Sequence, residues 1–334
     1  MAEVKGSRVS RRSFVRQTGI LAGGMFLGAG GAKPGRAAES AAGGIQELPT
    51  TVLGRTGVTV TRFTLGTAPC GNALEPPEIA EIVNLARELG VSSIDTAPAY
   101  KRAEEGVGLA LQRRPKDFFL ATKVMADTVE DAEKSLDKSL ALLKTDDVDL
   151  VYYHSVGSHD VPKAMEPDGV FRWLVKQKRA GRFRFLGISG HHKPGEFAQL
   201  LETGEVDVLL TVVNFVDRHT YNFEEKVLPL ARKLNVGIVA MKVFGGARRK
   251  GGSYGNPDSP PELDVKHLDL AVCYSLGTPG VATLNLGVHK KEQVCNNIEM
   301  VSRFQPLSGE EKKSVRKLGK ELAEQWGPHF GPVV

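Results

Sequence analysis

Phe119-Leu120-Ala121-Thr122-Lys123, an amphipathic run from Val129 to Leu143, and Asp149-Leu150-Val151-Tyr152-Tyr153-His154 together form the stretch that sets the fold. The middle run places Val129, Ala132, Leu136, Leu140 and Leu143 at helical spacing, one apolar stripe on a charged helix. The flanking runs are short, apolar and rich in β-branched and aromatic residues, as strands are. Two strands joined through a helix cannot be hairpin neighbours. They pair in parallel through a right-handed crossover.

The same unit recurs along the chain. Further strands are expected at Phe63–Leu65, Ser92–Ile94, Phe185–Ile188, Val208–Val213, Gly237–Ala240 and Ala282–Leu286, making eight with Phe119–Ala121 and Leu150–Tyr153. Helical patterns lie between them: Ile79, Ile82, Val83, Ala86 and Leu89, then Arg102–Leu111, Phe171–Ala180, Gly195–Thr203, Lys226–Leu234, Val265–Leu276 and Lys291–Val301. Eight strand–helix units predict an α/β fold, a closed (β/α)8 TIM barrel, which typically takes about 250 residues. A hairpin over Thr51–Thr61, turning at Arg55-Thr56-Gly57, precedes it, and an extra helix near Ser308–Gln325 follows. The alternative, a doubly wound open sheet, lacks the Gly-x-Gly-x-x-Gly that should follow its first strand.

Of the 334 residues, 41% are hydrophobic and 25% charged, an ordinary globular composition. The net charge of +5 is concentrated at the start: residues 1–42 hold seven basic and two acidic side chains, leaving 37 of each sign beyond them. A neutral body has no electrostatic footprint for nucleic acid. Ser10-Arg11-Arg12-Ser13-Phe14-Val15, the Gly-rich apolar run from Gly19 and the small residues near Ala37 to Ala42 read as a twin-arginine export signal. Residues 1–42 are therefore expected to be an address and linker that engages the twin-arginine translocation machinery, and residues 43–334 the barrel, placed in the periplasm or otherwise outside the cytoplasm. An Arg-rich start before a short apolar helix, or a retained anchor, is the other reading. No other run reaches the ~20 apolar residues of a spanning helix, so stable membrane insertion of the mature chain is not expected. Cys70, Cys273 and Cys295 show neither metal-ligand nor disulfide-framework spacing.

In such a barrel the chemistry collects where strands end. Asp95 closes the second strand with Tyr100 in the loop beyond it, Lys123 ends the third and His154 the fourth. Hydride addition to a carbonyl leaves an alkoxide that needs a proton, and a phenol of pKa about 10 is a weak acid for that task. An ammonium nearby would lower that value, a carboxylate would hold the ammonium, and an imidazole can donate to the substrate oxygen.

Leu65-Gly66-Thr67, Ile94-Asp95-Thr96-Ala97-x-x-Tyr100, Leu120-Ala121-Thr122-Lys123, Asp149-Leu150-x-x-x-His154, Gly187-Ile188-Ser189 and Leu286-Gly287-Val288-x-x-x-Glu292-Gln293-Val294-x-x-Asn297 resemble the motifs of the aldo-keto reductases, over about residues 48–301. The resemblance implies NADP(H) bound in an extended form, with NAD as the alternative, and a small carbonyl or sugar as substrate. It implies Tyr100 as general acid, Lys123 as its pKa modulator, Asp95 as the partner of Lys123 and His154 as the substrate-orienting donor. Gly66, Thr67, Ser189, Met241, Lys242, Phe244 and Gly287 would face the cofactor, and Lys290, Gln293 and Asn297 its adenosine-phosphate end. The chain departs from the family pattern at Leu210, where many relatives carry Gln, at Gly190 after Ser189, and at Met241, where an aromatic ring is usual. Phe215, Tyr221, Phe244 and His329 are candidates for the pocket wall.

Two other functions fit less well. A barrel that keeps NADP(H) as a sensor or structural ligand with little catalysis is motivated by Leu210 and Met241. A metal-dependent barrel hydrolase would use similar strand-end residues, but its usual His-x-His is missing from the first strand, and neither His154 with His159 nor His191 with His192 has a third ligand at metal spacing. No metal is expected.

Overall fold

The computed structural model of the chain describes residues 47–112, 117–248, 256 and 259–334. The twin-arginine motif, the rest of residues 1–42 and the boundary at residue 43 lie outside the described residues.

Strands β1 (Thr50–Val52) and β2 (Thr59–Thr61) form the expected antiparallel hairpin, with Thr51 opposite Val60. Its turn is a single 3-10 turn over Gly54–Thr56, closed by Gly57 at φ +70°. Gly54, at φ +49°, lies so close to Gly237 that a Cβ would stand 2.3 Å from its amide nitrogen. Among the described residues eight parallel strands then close a barrel: β3 (Phe63–Gly66), β4 (Ser93–Asp95), β5 (Phe119–Val124), β6 (Val148–Tyr153), β7 (Phe183–Gly190), β8 (Val208–Val212), β9 (Gly237–Met241) and β10 (Val281–Gly287), with β10 returning to β3. Every expected strand is present, and β5 and β7 run longer than the apolar runs that announced them.

The side-chain period of two decides what points inward. Phe119 and Ala121 of β5, Leu150 and Tyr152 of β6, Val208 and Leu210 of β8, and Val239 and Met241 of β9 fill the interior, and the hairpin closes the N-terminal end with Leu53 and Val60. Lys123, two residues past Ala121, therefore faces inward at the opposite end. Leu210 is 1% exposed within this packing, so it serves the interior rather than the cavity wall. Within the same interior the hydroxyls of Thr64, Ser93 and Thr283 bond to one another at 2.8 and 2.9 Å.

The outer layer forms for the reason the stripe gives. The helix Val129–Leu143 is capped by Thr128 Oγ1, which accepts from the Asp131 amide, and it buries Ala132, Leu136 and Leu143. Each buried leucine contributes roughly 1.5–3 kcal/mol. Two short helices in the strand–helix loops, Ala68–Ala73 and Val161–Ala164, were not legible as periodic patterns, since a turn or two carries no amphipathic signal. The extra helix, Gly309–Trp326, opens with a reciprocal Ser308/Glu311 cap. Its Gly319 rests on the loop after β8, where a Cβ would lie 1.9 Å from the Phe215 carbonyl oxygen. The tail then returns across the C-terminal end of the barrel, pinned where His329 Nε2 meets Asp217 Oδ1 at 2.9 Å.

Candidate active site

The C-terminal ends of β4, β5 and β6 bring Asp95, Lys123 and His154 together with Tyr100 from the loop after β4. Lys123 is 1% exposed and donates from Nζ to Asp95 Oδ1 at 2.5 Å and to the Thr96 carbonyl oxygen at 2.8 Å. The same ammonium lies 4.7 Å from the centre of the Tyr100 ring and 5.7 Å from that of Tyr152. The His154 ring meets Tyr100 edge-on, centroids 6.1 Å apart. His154 is fixed by its backbone, whose amide donates to Val124 and whose carbonyl meets the His159 ring at 2.9 Å. The chain turns through a residue of positive φ just past Tyr100, at Lys101 (φ 50°), just past His154, at Ser155 (φ 59°), and just past Met241, at Lys242 (φ 56°). Such conformations are disfavoured for non-glycine residues and tend to collect at functional sites.

The electrostatics differ from expectation in one respect. Burial, with the Asp95 charge second, pushes the Tyr100 phenol well above its ordinary value, where a lowering by Lys123 was anticipated. The physical reason is geometric: the ammonium is held by Asp95 and the Thr96 carbonyl and stands over the ring face of Tyr100. Burial likewise lowers Lys123, against the upward pull of Asp95 and Glu104. His154 is lowered to about 3 by burial and by Lys123, His159 and Lys242, so it is a neutral imidazole throughout the physiological range. At rest the site holds a protonated phenol, a neutral imidazole and a buried ion pair.

These groups open onto a cavity of about 610 Å³. Asp95, Tyr100 and His154 line it, as do Gly66, Met241, Lys242, Phe244 and Gly287, and Gln293 and Asn297 of the helix Lys291–Ser302. Thr67, Lys123, Ser189 and Lys290 stand outside the lining. Thr67 is fully buried and donates to the Asp95 carbonyl; Lys123 sits behind the wall; Lys290 is exposed before its helix. Ser189 is 1% exposed and its hydroxyl is a buried polar atom without a partner among the described residues. Gln293 Oε1 accepts from the His289 and Lys290 amides, which turns part of that side chain into a helix cap. Phe215, Tyr221 and His329 do not line the cavity: Phe215 is core, Tyr221 bonds the tail, and His329 is paired with Asp217.

The cavity leaves room for a cofactor at two of its glycines. At its wall the backbone is bare where a side chain would collide: a Cβ on Gly66 would lie 2.4 Å from Asn285 Oδ1, and one on Gly287 2.7 Å from Pro69. Behind the wall, the Ser189 hydroxyl has no partner among the described residues. Residues that the sequence reading missed include Tyr152, beneath Lys123, and His191, Asn285 and Asn296 on the cavity wall. Tyr152 was legible only as half of a Tyr-Tyr pair, and its inward direction follows from strand parity. Among the described residues no group of three or more His, Cys, Asp and Glu could hold a metal ion.

Residues 62–268 match the aldo/keto reductase family, and the chain belongs to it. It is 26% identical over 288 residues to L-galactose dehydrogenase of Arabidopsis thaliana, covering 76% of this chain and 88% of that protein. It is also 26% identical over 314 residues to pyridoxal 4-dehydrogenase of Microbacterium luteolum, covering 74% and 91%. The holo form of an aldo-keto reductase from Bacillus halodurans superposes with a TM-score of 0.67 at 23% identity, over 85% of this chain and all of that one, which speaks for the fold. The chain is thus an oxidoreductase of a family that uses NADP(H).

Proposed function

We propose that this aldo/keto reductase interconverts a small aldehyde, ketone or sugar with its alcohol at the cavity mouth, with Tyr100 as general acid and base. NADP(H), when bound, supplies or accepts the hydride. Gly66, Met241, Lys242, Phe244, Gly287, Gln293 and Asn297 would hold it along the cavity wall. The observation that carries the reading is the buried Lys123, bonded to Asp95 and Thr96 and roofed by the Tyr100 ring at the edge of that cavity.

In the reducing direction Tyr100 starts as a neutral phenol, which its raised pKa ensures, and gives its proton to the oxygen that becomes an alkoxide. The phenolate left behind lies beside the Lys123 ammonium, whose charge offsets part of the cost of burying it. Asp95 keeps that ammonium charged and placed. Neutral His154 orients the carbonyl oxygen by a hydrogen bond without competing for the proton. In the oxidising direction Tyr100 accepts the proton from the alcohol.

Turnover of an aldehyde panel with NADPH tests this. Tyr100→Phe should abolish the rate while leaving cofactor affinity intact; a variant as fast as the parent rejects the Tyr-centred mechanism. A parent that binds NADPH and reduces nothing favours the sensor reading. Residues 1–42 are proposed to send the folded barrel out of the cytoplasm through twin-arginine translocation, on the strength of the Arg11-Arg12 motif and the basic-then-apolar order of that segment.

A further inference from the structure

On the reading that this cavity reduces carbonyls, a second imidazole stands beside His154 with no role in the proton transfer. His191 follows the end of β7, and His154 follows the end of the neighbouring β6, with Tyr153 paired to Ile188. That register sets His191 roughly two residues farther out than His154 on an adjacent strand, about 5 Å across. Both line the cavity. Phe330 of the returning tail backs the His191 ring at 5.4 Å, and the Lys242 ammonium lies 5.6 Å from the same phenyl ring. The tail that carries Phe330 is itself held, its amide donating to Tyr221 Oη at 2.7 Å and Tyr221 Oη donating to Gly331 at 3.1 Å. The His191 ring is therefore fixed from behind and open in front.

Among the described residues neither ring nitrogen of His191 makes a hydrogen bond; the residue is half-buried and its nitrogens stay open to the cavity. Burial, then Lys242 and His154, also hold it neutral. A neutral imidazole offers one donor and one acceptor, and here both are available to a ligand in the cavity. The carbonyl oxygen is already served by Tyr100 and His154. We propose that His191 binds a second substrate oxygen, one or two carbons from the carbonyl, so that the site selects hydroxy- or oxo-substituted aldehydes and ketones over plain alkyl ones. His191 is a specificity-determining residue here and moves no proton.

The test compares glyceraldehyde with propanal, which share a carbon skeleton and differ in the hydroxyls beside the carbonyl. The parent should show a higher kcat/KM for glyceraldehyde. His191→Leu should lose about tenfold on glyceraldehyde, the effect of one buried hydrogen bond, and stay within about twofold on propanal. His191→Asn, which keeps a donor, should recover part of the difference, and NADPH affinity should not change in either variant. An equal fall on both substrates, a weakened cofactor, or an unchanged preference overturns the proposal.

A second readout needs no turnover. In the NADPH-bound parent carrying labelled histidine, glycerol should shift a ring resonance that is missing from His191→Leu, and propan-1-ol should not. A parent that reduces neither aldehyde while glycerol shifts that resonance would reject the reductase reading and leave His191 as a polyol contact. Equal response to glycerol and propan-1-ol, or none to either, would reject the His191 assignment whatever the turnover.

Discussion

The Lys123–Asp95 pair makes a quantitative prediction because both side chains are almost fully enclosed, at 1% and 4% exposure. Removing one member of a buried pair leaves the other charge without compensation, which destabilises by about 3–5 kcal/mol. Asp95→Asn and Lys123→Met should therefore each lower the unfolding free energy by roughly that amount. The double variant Lys123→Met/Asp95→Asn removes both charges together, so neither is left buried without compensation. Its loss should be far less than the sum of the singles, with a coupling energy of at least about 2 kcal/mol. Urea unfolding followed by the fluorescence of Trp173 and Trp326 measures all four corners of the cycle. The Asp95→Asn variant also carries a signature in pH. Burial lowers Lys123 below its unfolded value of about 10.4, and the substitution removes the upward pull of Asp95. Between the folded and unfolded pKa values the unfolded chain binds more protons, so stability rises with pH. The deficit relative to the parent should shrink from pH 7 toward pH 10. Additive single losses, or a deficit that grows with pH, would refute the placement of this pair as a buried, mutually dependent unit.

Two further outcomes are expected. With a pKa of about 3, His154 should stay neutral down to pH 5 in ring-nitrogen NMR, and a protonation midpoint near 6.5 would contradict its enclosed setting. Replacing Arg11 and Arg12 by Lys should retain the precursor in the cytoplasm on fractionation; unchanged export would remove the twin-arginine assignment.

Strand parity and helical periodicity were enough to find the barrel. The stripe Val129, Ala132, Leu136, Leu140, Leu143 and the two strands beside it fix a parallel crossover, and the repeat of that unit leaves few ways to close the sheet. Asp95, Lys123 and His154 were legible as neighbours at one rim for the same reason: a strand end in this fold has one place to be. Thr67, Ser189 and Lys290 were placed at the right rim but stand outside the cavity lining, because a sequence position gives the strand end and not the depth at which a side chain lies.

What the sequence determined by itself is the order of elements, the inward parity of each strand and the set of ionisable groups at one rim, all of which are local properties of spacing. Only the tertiary structure decided that the phenol of Tyr100 is raised rather than lowered, that Leu210 is interior packing, that His329 grips Asp217, and that His191 faces the cavity with Phe330 behind it. Those facts depend on distance and burial between residues up to 139 positions apart, from His191 to Phe330, and the strength of a charge or hydrogen bond is set by how much water the rest of the fold excludes.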